Sequence, residues 1–503
     1  MPCCPPGGML ADAIAAQARI LVIGDFDADG ATSTALAVTT LRDFGATSVD
    51  YLVPNRFEYG YGLTPEIVAL AVTREPDLII TVDNGISSVE GVAAARDAGI
   101  ATLVTDHHLG LELPQADLIV NPNQLGCSFA SKHLAGVGVI FYVMLALRAE
   151  LRARGHFAVN AEPSLATCLD LVALGTVADV VPLDRNNRIL VAAGLRRIRA
   201  GQGRPGVEAL LDVAGKQRHS LVASDLGFAL GPRINAAGRL EDMSIGIECL
   251  LTTDPARAWT LAAQLDQLNR DRRAIERGMQ SEAMQILASL EVGNADEPPV
   301  AMTLYQSGWH QGVIGILASR IKDLLHRPTI AFADGELKGS ARSITGLHIR
   351  DVLDAVAARH PGLITRFGGH AMAAGLTLQR DAYPAFSRAF AEEVARHARD
   401  LELQAVVESD GELNPADFNL ELAQALRFAG PWGQHFAEPV FDGRFQVLNQ
   451  RLVGERHLKL TLQPSGCDEA LDAIAFNIDL EQWPDTGVSQ VDVAFRLDVN
   501  EFR

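Results

Sequence analysis

Arg19-Ile-Leu-Val-Ile-Gly24 runs directly into Asp25-Phe-Asp27-Ala-Asp29-Gly30. A short apolar run rich in branched side chains and closed by glycine reads as a strand buried on both faces. A helical pattern from Thr32 to Phe44 follows it, and Ser48 to Val53 and Asp77 to Val82 read as two further strands. A helix from Ser88 to Ala98 then leads into strands over Ala101 to Thr105 and Asp117 to Val120. This alternation predicts an α/β fold with a parallel sheet covered by helices. Ligands of such sheets bind beyond the carboxyl ends of the strands.

Chemistry-bearing residues fall at those ends. Asp25, Asp27 and Asp29 stand at i, i+2 and i+4. At ~4 Å and an effective dielectric of ~20, each like-charged pair costs about 4 kcal/mol, so the crowding calls for a cation or a proton. An Asp-rich turn is the plain alternative. An EF-hand is excluded: its twelfth loop position needs a bidentate Glu, and that position is Leu36. Two further strands end in Val82-Asp83-Asn84-Gly85 and Thr105-Asp106-His107-His108. One strand-end Asp is ordinarily a cap; three such ends at one sheet edge point to a site. Asp179 lies inside the apolar segment Leu174-Gly-Thr-Val-Ala-Asp-Val-Val, where a buried carboxylate needs a partner, and a metal ion would serve.

Farther along, Pro255 to about Glu291 is a long helical pattern, and Asn269-Arg-Asp-Arg-Arg273 within it reads as an exposed, salt-bridged face. Gly293-Asn-Ala-Asp-Glu-Pro-Pro299 reads as a linker before a second α/β unit. After Pro431 the pattern turns to period two, around Arg444 to Leu448, Leu458 to Gln463 and Val491 to Leu497, which predicts a small β domain. The chain of 503 residues carries 62 acidic against 43 basic side chains, a net charge of −19. That balance excludes a generally basic coat for duplex DNA and leaves room for a local cationic groove. Arg444, Arg451, Arg456, His457 and Lys459, around one predicted hairpin, are candidates for such a groove or for an ordinary solvated face. With 48% apolar residues, wholesale disorder is excluded. Six cysteines without CxxC spacing suit a reducing cytoplasm and show no zinc ribbon. The longest apolar run, Leu134 to Leu147, is too short to span a bilayer and reads as a buried helix. The first basic residue is Arg19, so the N-terminus has no charged n-region, and Pro5-Pro6-Gly7-Gly8 interrupts any early apolar helix; neither export nor membrane insertion is expected.

Four segments, Asp-Phe-Asp-Ala-Asp-Gly (25–30), Val-Asp-Asn-Gly (82–85), Asp-His-His (106–108) and Gly-Thr-Val-Ala-Asp (175–179), resemble the signature motifs of the DHH phosphoesterase superfamily. Four more, 231–239, 309–315, 339–343 and 368–375, resemble those of its single-stranded-DNA-specific 5′→3′ exonucleases. The resemblance follows nearly the whole chain in order. It implies a DHH domain over 19–254, a connecting helix over 255–292, a DHHA1 domain over 296–398 and a C-terminal OB-fold over 400–503. That family carries a longer N-terminal lead and a further C-terminal strand, so an incomplete OB-fold is expected.

Position by position, the resemblance implies two Mn²⁺ or Mg²⁺ ions. Asp27 and Asp83 hold one, and Asp29, Asp83, His107 and Asp179 the other, with Asp83 bridging. A donor set of oxygens with one imidazole suits those ions. His108 then faces the scissile phosphate, while Asp25 and Asp106 complete the catalytic set as orienting groups, or else cap local turns. Arg56 falls where the family reads a 5′-terminal phosphate, and Phe57, Tyr59 and Tyr61 stack on bases or pack internally. Arg233, Asn235 and Arg239 fall on the DNA path. His310, Ser340, Arg342, Ser343, Gly368, Gly369 and His370 handle phosphate, a guanidinium fork and close-approaching glycines being suited to it. The implied partners are single-stranded DNA, a single-strand-binding protein and a RecQ-type helicase, in the cytoplasm. A small-substrate DHH phosphodiesterase and a non-enzymatic DHH scaffold are the alternatives. The segment 231–239 and the β domain speak against the first, the intact ligand set against the second.

Overall fold

The computed structural model describes residues 6–55, 59, 61–110, 112–158, 161–289, 299–334, 336–397, 403–467, 469–480, 482–485 and 487–500. Arg56 and Phe57 lie outside them. The chain divides into two compact units. One gathers the residues up to Gly238, Met243–Asp266 and Val407 onward; the other holds Arg239–Asp242 and Gln267–Val406.

In the first unit β1 (Arg19–Gly24), β2 (Ser48–Leu52), β3 (Leu78–Val82), β4 (Ala101–Thr105) and β5 (Leu118–Val120) form one parallel sheet of order β2-β1-β3-β4-β5. β1 and β3 are central and buried almost throughout, as their unbroken apolar runs require. The register aligns the strand ends: Gly24 pairs with Val82, and Val82 with Thr105. Asp25, Asp83 and Asp106, each the next residue, therefore leave the sheet side by side.

The accompanying helices are α1 (Pro6–Ala15), α2 (Ala28–Asp43), α3 (Pro65–Val72), α4 (Val89–Asp97), α5 (Gly136–Ala153), α6 (Leu169–Ala178) and α7 (Arg185–Arg199). Ile67, Val68 and Val92 of α3 and α4 close one face of the sheet over Leu21, Ile23 and Ile79. α2 packs against β1, α5, α6 and the helix Ser244–Leu251. Its small side chains, Ala28, Ala31, Ser33, Ala35 and Ala37, are all buried and permit that close approach. α2 begins at Ala28, four residues before the pattern from Thr32 suggests. Asp27 takes the N-cap and accepts from the Gly30 amide at 3.0 Å, which places Asp29 in the first helical turn rather than in a loop.

Also in this unit, β11 (Phe441–Val453), β12 (His457–Pro464), β13 (Leu471–Ala475) and β14 (Gln490–Phe495) make an antiparallel sheet of order β13-β12-β11-β14. β12 alternates strictly and puts Leu458, Leu460 and Leu462 into a core with Phe445. The sequence reading lacked β13. The second unit builds a mixed sheet of order β6-β7-β8-β10-β9 from β6 (Met302–Tyr305), β7 (Thr329–Ala333), β8 (Leu337–Arg342), β9 (Arg366–Gly369) and β10 (Ala373–Leu378). Phe332, Phe386 and Phe390 fill one of its cores, and Trp309, Leu317 and Ile321 another.

The long helix is observed as Pro255–Ser289, but its charged stretch is not simply solvated. Asn269 and Arg272 are buried, as is Glu276 one turn later. Arg272 donates to Glu276 Oε2 at 2.6 Å and to Asn269 Oδ1 at 3.0 Å. Spacings of three and four look alike whether a charge pair faces water or neutralises itself inside. No helix among the described residues is long and apolar enough to cross a membrane.

Candidate active site

Five elements converge at the carboxyl edge of the parallel sheet. β1 supplies Asp25 and, through the turn into α2, Asp27 and Asp29; β3 supplies Asp83; β4 supplies Asp106, His107 and His108; α6 ends on Asp179. Three overlapping sets result, each with ligand atoms mutually within 4.8 Å: Asp25, Asp27 and Asp83; Asp83, His107 and His108; Asp29, His107 and Asp179. His107 Nε2 stands 3.1 Å from Asp83 Oδ1, 3.6 Å from Asp179 Oδ2 and 4.0 Å from Asp29 Oδ2.

Close backbone approach makes this crowding possible. Asp29 caps the start of α5, accepting from the amides of Gly136 at 2.6 Å and Val137 at 2.9 Å. A Cβ on Gly136 would lie 2.6 Å from both Cβ and Oδ1 of Asp83; one on Gly175 would lie 2.2 Å from Thr32 Oγ1 and 2.9 Å from Asp29 Oδ1. Gly136→Ala is therefore expected to lower hydrolysis at least tenfold with the fold retained, since relieving such overpacking costs about 1–3 kcal/mol at Asp83 itself. Rates alongside far-ultraviolet circular dichroism check this, and a wild-type rate would contradict it. Asp83 adopts φ +63°, a left-handed conformation that Asp tolerates, whereas Val180, next to Asp179, takes the same φ with a branched side chain.

The electrostatics follow from packing. Burial, then the charge of Asp179, pushes Asp29 up to about 7; burial, then Asp27, does the same to Asp179. Asp83 is held well above the usual carboxylate range by burial and by Asp29 and Asp27. Burial and the charge of His108 lower His107. Asp106 behaves differently. It accepts from the amides of Ile86, His107 and His108 and from His108 Nδ1 at 2.8 Å. Burial acts against this ionisation, but the His108 contact outweighs it and keeps Asp106 low. Burial likewise opposes the charge on His108, and the Asp106 pair overrides it, to about 9.

A divalent ion fits this geometry. Asp83 Oδ1 and His107 Nε2 are buried and make no hydrogen bond among the described residues, although they face each other. Buried polar groups left so call for an ion. Oxygen donors with one imidazole match Mn²⁺ or Mg²⁺.

Sequence reasoning missed the supports. Asn123 Nδ2 donates to the His107 carbonyl at 2.5 Å and Asn121 Nδ2 to that of His108 at 2.8 Å. Both follow β5, so the strand-end logic applied to Asp83 would have found them. Tyr61 donates to the Asp83 carbonyl at 3.2 Å and packs edge-on against His108 and Phe26, a positioning contact.

The expected DNA and phosphate residues divide by unit. In the first, Asn235 accepts from the Ala28 amide at 2.7 Å, and a Cβ on Gly238 would lie 1.9 Å from the Phe26 carbonyl, so the helix Gly231–Leu240 braces the Asp-rich turn. Arg233 is buried and donates to Asp266 Oδ1 and the Ala229 carbonyl, because a buried guanidinium requires internal acceptors. In the second unit Arg342 bonds Ser340 Oγ at 3.0 Å, and Gly315 leaves it room at the start of the helix Ile314–Leu325. The Ser343 hydroxyl is buried and donates to the Leu347 carbonyl at 2.6 Å. Gly369 takes φ +146° where β9 pairs with β10, and a Cβ there would lie 2.4 Å from Ala374 Cα. Gly368 precedes it on β9, and His370 donates its amide to the Ala373 carbonyl. Arg239 donates to the Gly312 carbonyl and His310 accepts from the Gly312 amide, both at 3.1 Å. The hairpin cations are partly spent: Arg444 pairs with Asp492 at 2.7 Å and Lys459 with Asp472 at 2.9 Å.

Three family models match the chain: the N-terminal domain of the DHH family over residues 19–176, the DHHA1 domain over 297–396 and the RecJ OB domain over 409–503. A Dickeya dadantii protein named single-stranded-DNA-specific exonuclease RecJ is 58% identical over 501 residues, covering 98% of this chain and 87% of its own length. The chain belongs to the RecJ family. An Escherichia coli RecJ is also 58% identical, over 96% of this chain and 85% of its own length. A crystal structure of RecJ from Thermus thermophilus in complex with Mn²⁺ superposes with a TM-score of 0.79 at 30% identity, covering 97% of this chain and 67% of that one. The same RecJ in complex with Mg²⁺ gives 0.73 at 29%, over 97% and 66%.

Proposed function

We propose that this chain is a metal-dependent exonuclease that hydrolyses phosphodiester bonds of single-stranded DNA, working from the 5′ end. The observation that carries the reading is Asp83, shared by two overlapping ligand sets at the sheet edge. Membership of the RecJ family supplies the substrate, and solved RecJ structures in complex with Mn²⁺ or Mg²⁺ support the choice of ion.

In this reading Asp27 and Asp83, joined by Asp25, hold one ion, and Asp29, Asp83, His107 and Asp179 the other. Such a pair supplies an activated water and steadies both oxygens of an in-line displacement at phosphorus. Asp106 fixes the His108 ring and keeps it protonated, which suits it to meet charge on the scissile phosphate. Asn121 and Asn123 hold the two histidines from their carbonyls. Arg342 with Ser340, and His370 after the paired glycines, receive phosphates of the strand, and Arg56 reads its 5′ terminus. A role in DNA recombination and repair, a cytoplasmic location, and a single-strand-binding protein and a RecQ-type helicase as partners belong to the same reading. It rests there on the resemblance of the eight motifs.

The test is the time course of product lengths from a long single strand labelled at either end. A 5′ label should appear at once in mononucleotides while a 3′-labelled strand shortens stepwise, with Mn²⁺ present and not with chelator. Immediate release of a 3′ label would reverse the polarity, and cleavage confined to strands of a few nucleotides would replace the substrate class.

A further inference from the structure

A polyanion can be held by a chain of net charge −19 only where cations gather without compensation. The hairpin provides this only in part, since Arg444 and Lys459 are neutralised. α7 does. Its sequence, Arg185-Asn-Asn-Arg-Ile-Leu-Val-Ala-Ala-Gly-Leu-Arg-Arg-Ile-Arg199, holds five arginines and no acid. Arg185, Arg188, Ile189, Ala192 and Arg196 stand at helical offsets that share one face. They line a cavity of about 310 Å³ together with the segment from Ala429 to Pro431 and Phe436, and no acidic side chain lines it.

We propose that this face of α7 is a second binding surface for the sugar–phosphate backbone of single-stranded DNA, outside the metal-ligand cluster. The inference rests on the proposed function, which supplies the polyanion. Four observations carry it. First, none of Arg185, Arg188 and Arg196 meets a carboxylate among the described residues, whereas Arg204, Arg233 and Arg272 in the buried regions all do. Second, the opposite face of α7 is fixed inward: Leu190, Val191, Leu195 and Ile198 are buried, and a Cβ on Gly194 would lie 2.2 Å from the Leu169 carbonyl. The arginines therefore stay outward. Third, the surface is preorganised. Arg188 donates to the Leu183 carbonyl at 2.7 Å and lies over the Phe436 ring at 4.1 Å, and Gln434 accepts from the Leu183 amide at 2.8 Å. Fourth, like charges are left crowded at the far end, where Arg199 is lowered by burial and by Arg196 and Arg427. Exposed Ile189 and Phe428 offer apolar platforms beside the cations.

Position matters as well. Asp179 closes α6, Asp184 caps α7 only five residues later, and Arg185 begins the arginine face. From Arg185 to Arg196 the face extends about 16 Å at the rise of a helix, enough to meet more than one phosphate. A strand laid along it would run away from the ligand cluster, so short substrates would not reach it.

The test compares the full-length wild type with R185Q/R196Q and R185K/R196K, by anisotropy of labelled strands in chelator over a salt series. For R185Q/R196Q, affinity for a long strand should fall about tenfold, and the log–log salt slope should drop by ~1.4, at ~0.7 per lost contact. Affinity for a strand of a few nucleotides should stay within about twofold, and the lysine variant should keep the wild-type slope. An unchanged slope, an equal loss on short and long strands, or a lysine variant that behaves like the glutamine one would each overturn the proposal. So would a glutamine variant that binds DNA normally and loses only the binding of polyglutamate, which would assign the face to an acidic protein partner. Failure of the wild type itself to degrade single strands with Mn²⁺ would instead remove the proposed function, and is read first.

Discussion

Asp83→Asn is expected to reduce strand hydrolysis by at least about 10³-fold, because metal ions supply several kcal/mol of transition-state stabilisation at such sites. Asp83 belongs to two of the three overlapping ligand sets, and its Oδ1 lies 3.1 Å from His107 Nε2. Asparagine is the informative replacement: it keeps the shape of the side chain and tolerates the left-handed φ of +63° at this position. It removes the charge that would attract an ion. Asp25→Ala, touching one set only, should lose less. In chelator the two effects part company. Burial, Asp29 and Asp27 hold Asp83 well above its usual range, so removing its charge should leave the metal-free protein as stable as the wild type or more so. The Mn²⁺-induced rise in melting temperature should meanwhile shrink or vanish. Equal residual rates in Asp83→Asn and Asp25→Ala, with a normal Mn²⁺ response in both, would take the shared role away from Asp83.

The convergence of the candidate ligand residues was legible in the sequence because the physics that places them is local. An apolar run ending in Asp is a strand end, and parallel pairing brings such ends together once the register aligns Gly24, Val82 and Thr105. What the sequence hid is long-range. Nothing within α5 says that the Gly136 amide would cap Asp29, more than 100 residues earlier, or that a missing Cβ there makes room for Asp83. Charged residues misled in both directions for a related reason. Arg233, Arg272 and Arg444 look like free cations in a string of letters, yet each meets a carboxylate, two of them buried. The arginines of α7 form no motif in the sequence, and that Arg185, Arg188 and Arg196 meet no carboxylate among the described residues emerges only when the unit is assembled. Nor does the motif around Ser343 say where its hydroxyl bonds: chain reversal after β8 turns it to the Leu347 carbonyl.

Without metal, the melting temperature should fall by about 5–10 °C as pH rises from about 5 to 8, a loss on the order of a few kcal/mol. Asp29 and Asp179 are each pushed up to about 7, chiefly by burial and then by a neighbouring carboxylate. Their unfolded values lie near 3.9, so between about pH 4 and 7 the folded chain holds protons that the unfolded chain has released. Their contribution is fully present below the unfolded value and is lost as pH climbs through about 7. His108, at about 9 through its pair with Asp106 and against the effect of burial, adds a contribution that is also lost with rising pH, at the upper end of the range. His107 acts the other way: burial and the charge of His108 lower it, so its contribution is lost as pH falls. Asp83, held well above its usual range by burial and then by Asp29, also contributes stability that is lost with rising pH. Four groups against one give a net decline. Mn²⁺ should flatten or reverse it, because ligand carboxylates must be ionised to bind and affinity therefore grows with pH. Thermal melts across this range, with chelator and with Mn²⁺, read both slopes directly. Asp29→Asn should flatten the metal-free slope by removing one of the four declining groups. A metal-free melting temperature that is level or rises with pH would mean that the carboxylates are already relieved of one another's charge by something other than protons or a bound ion.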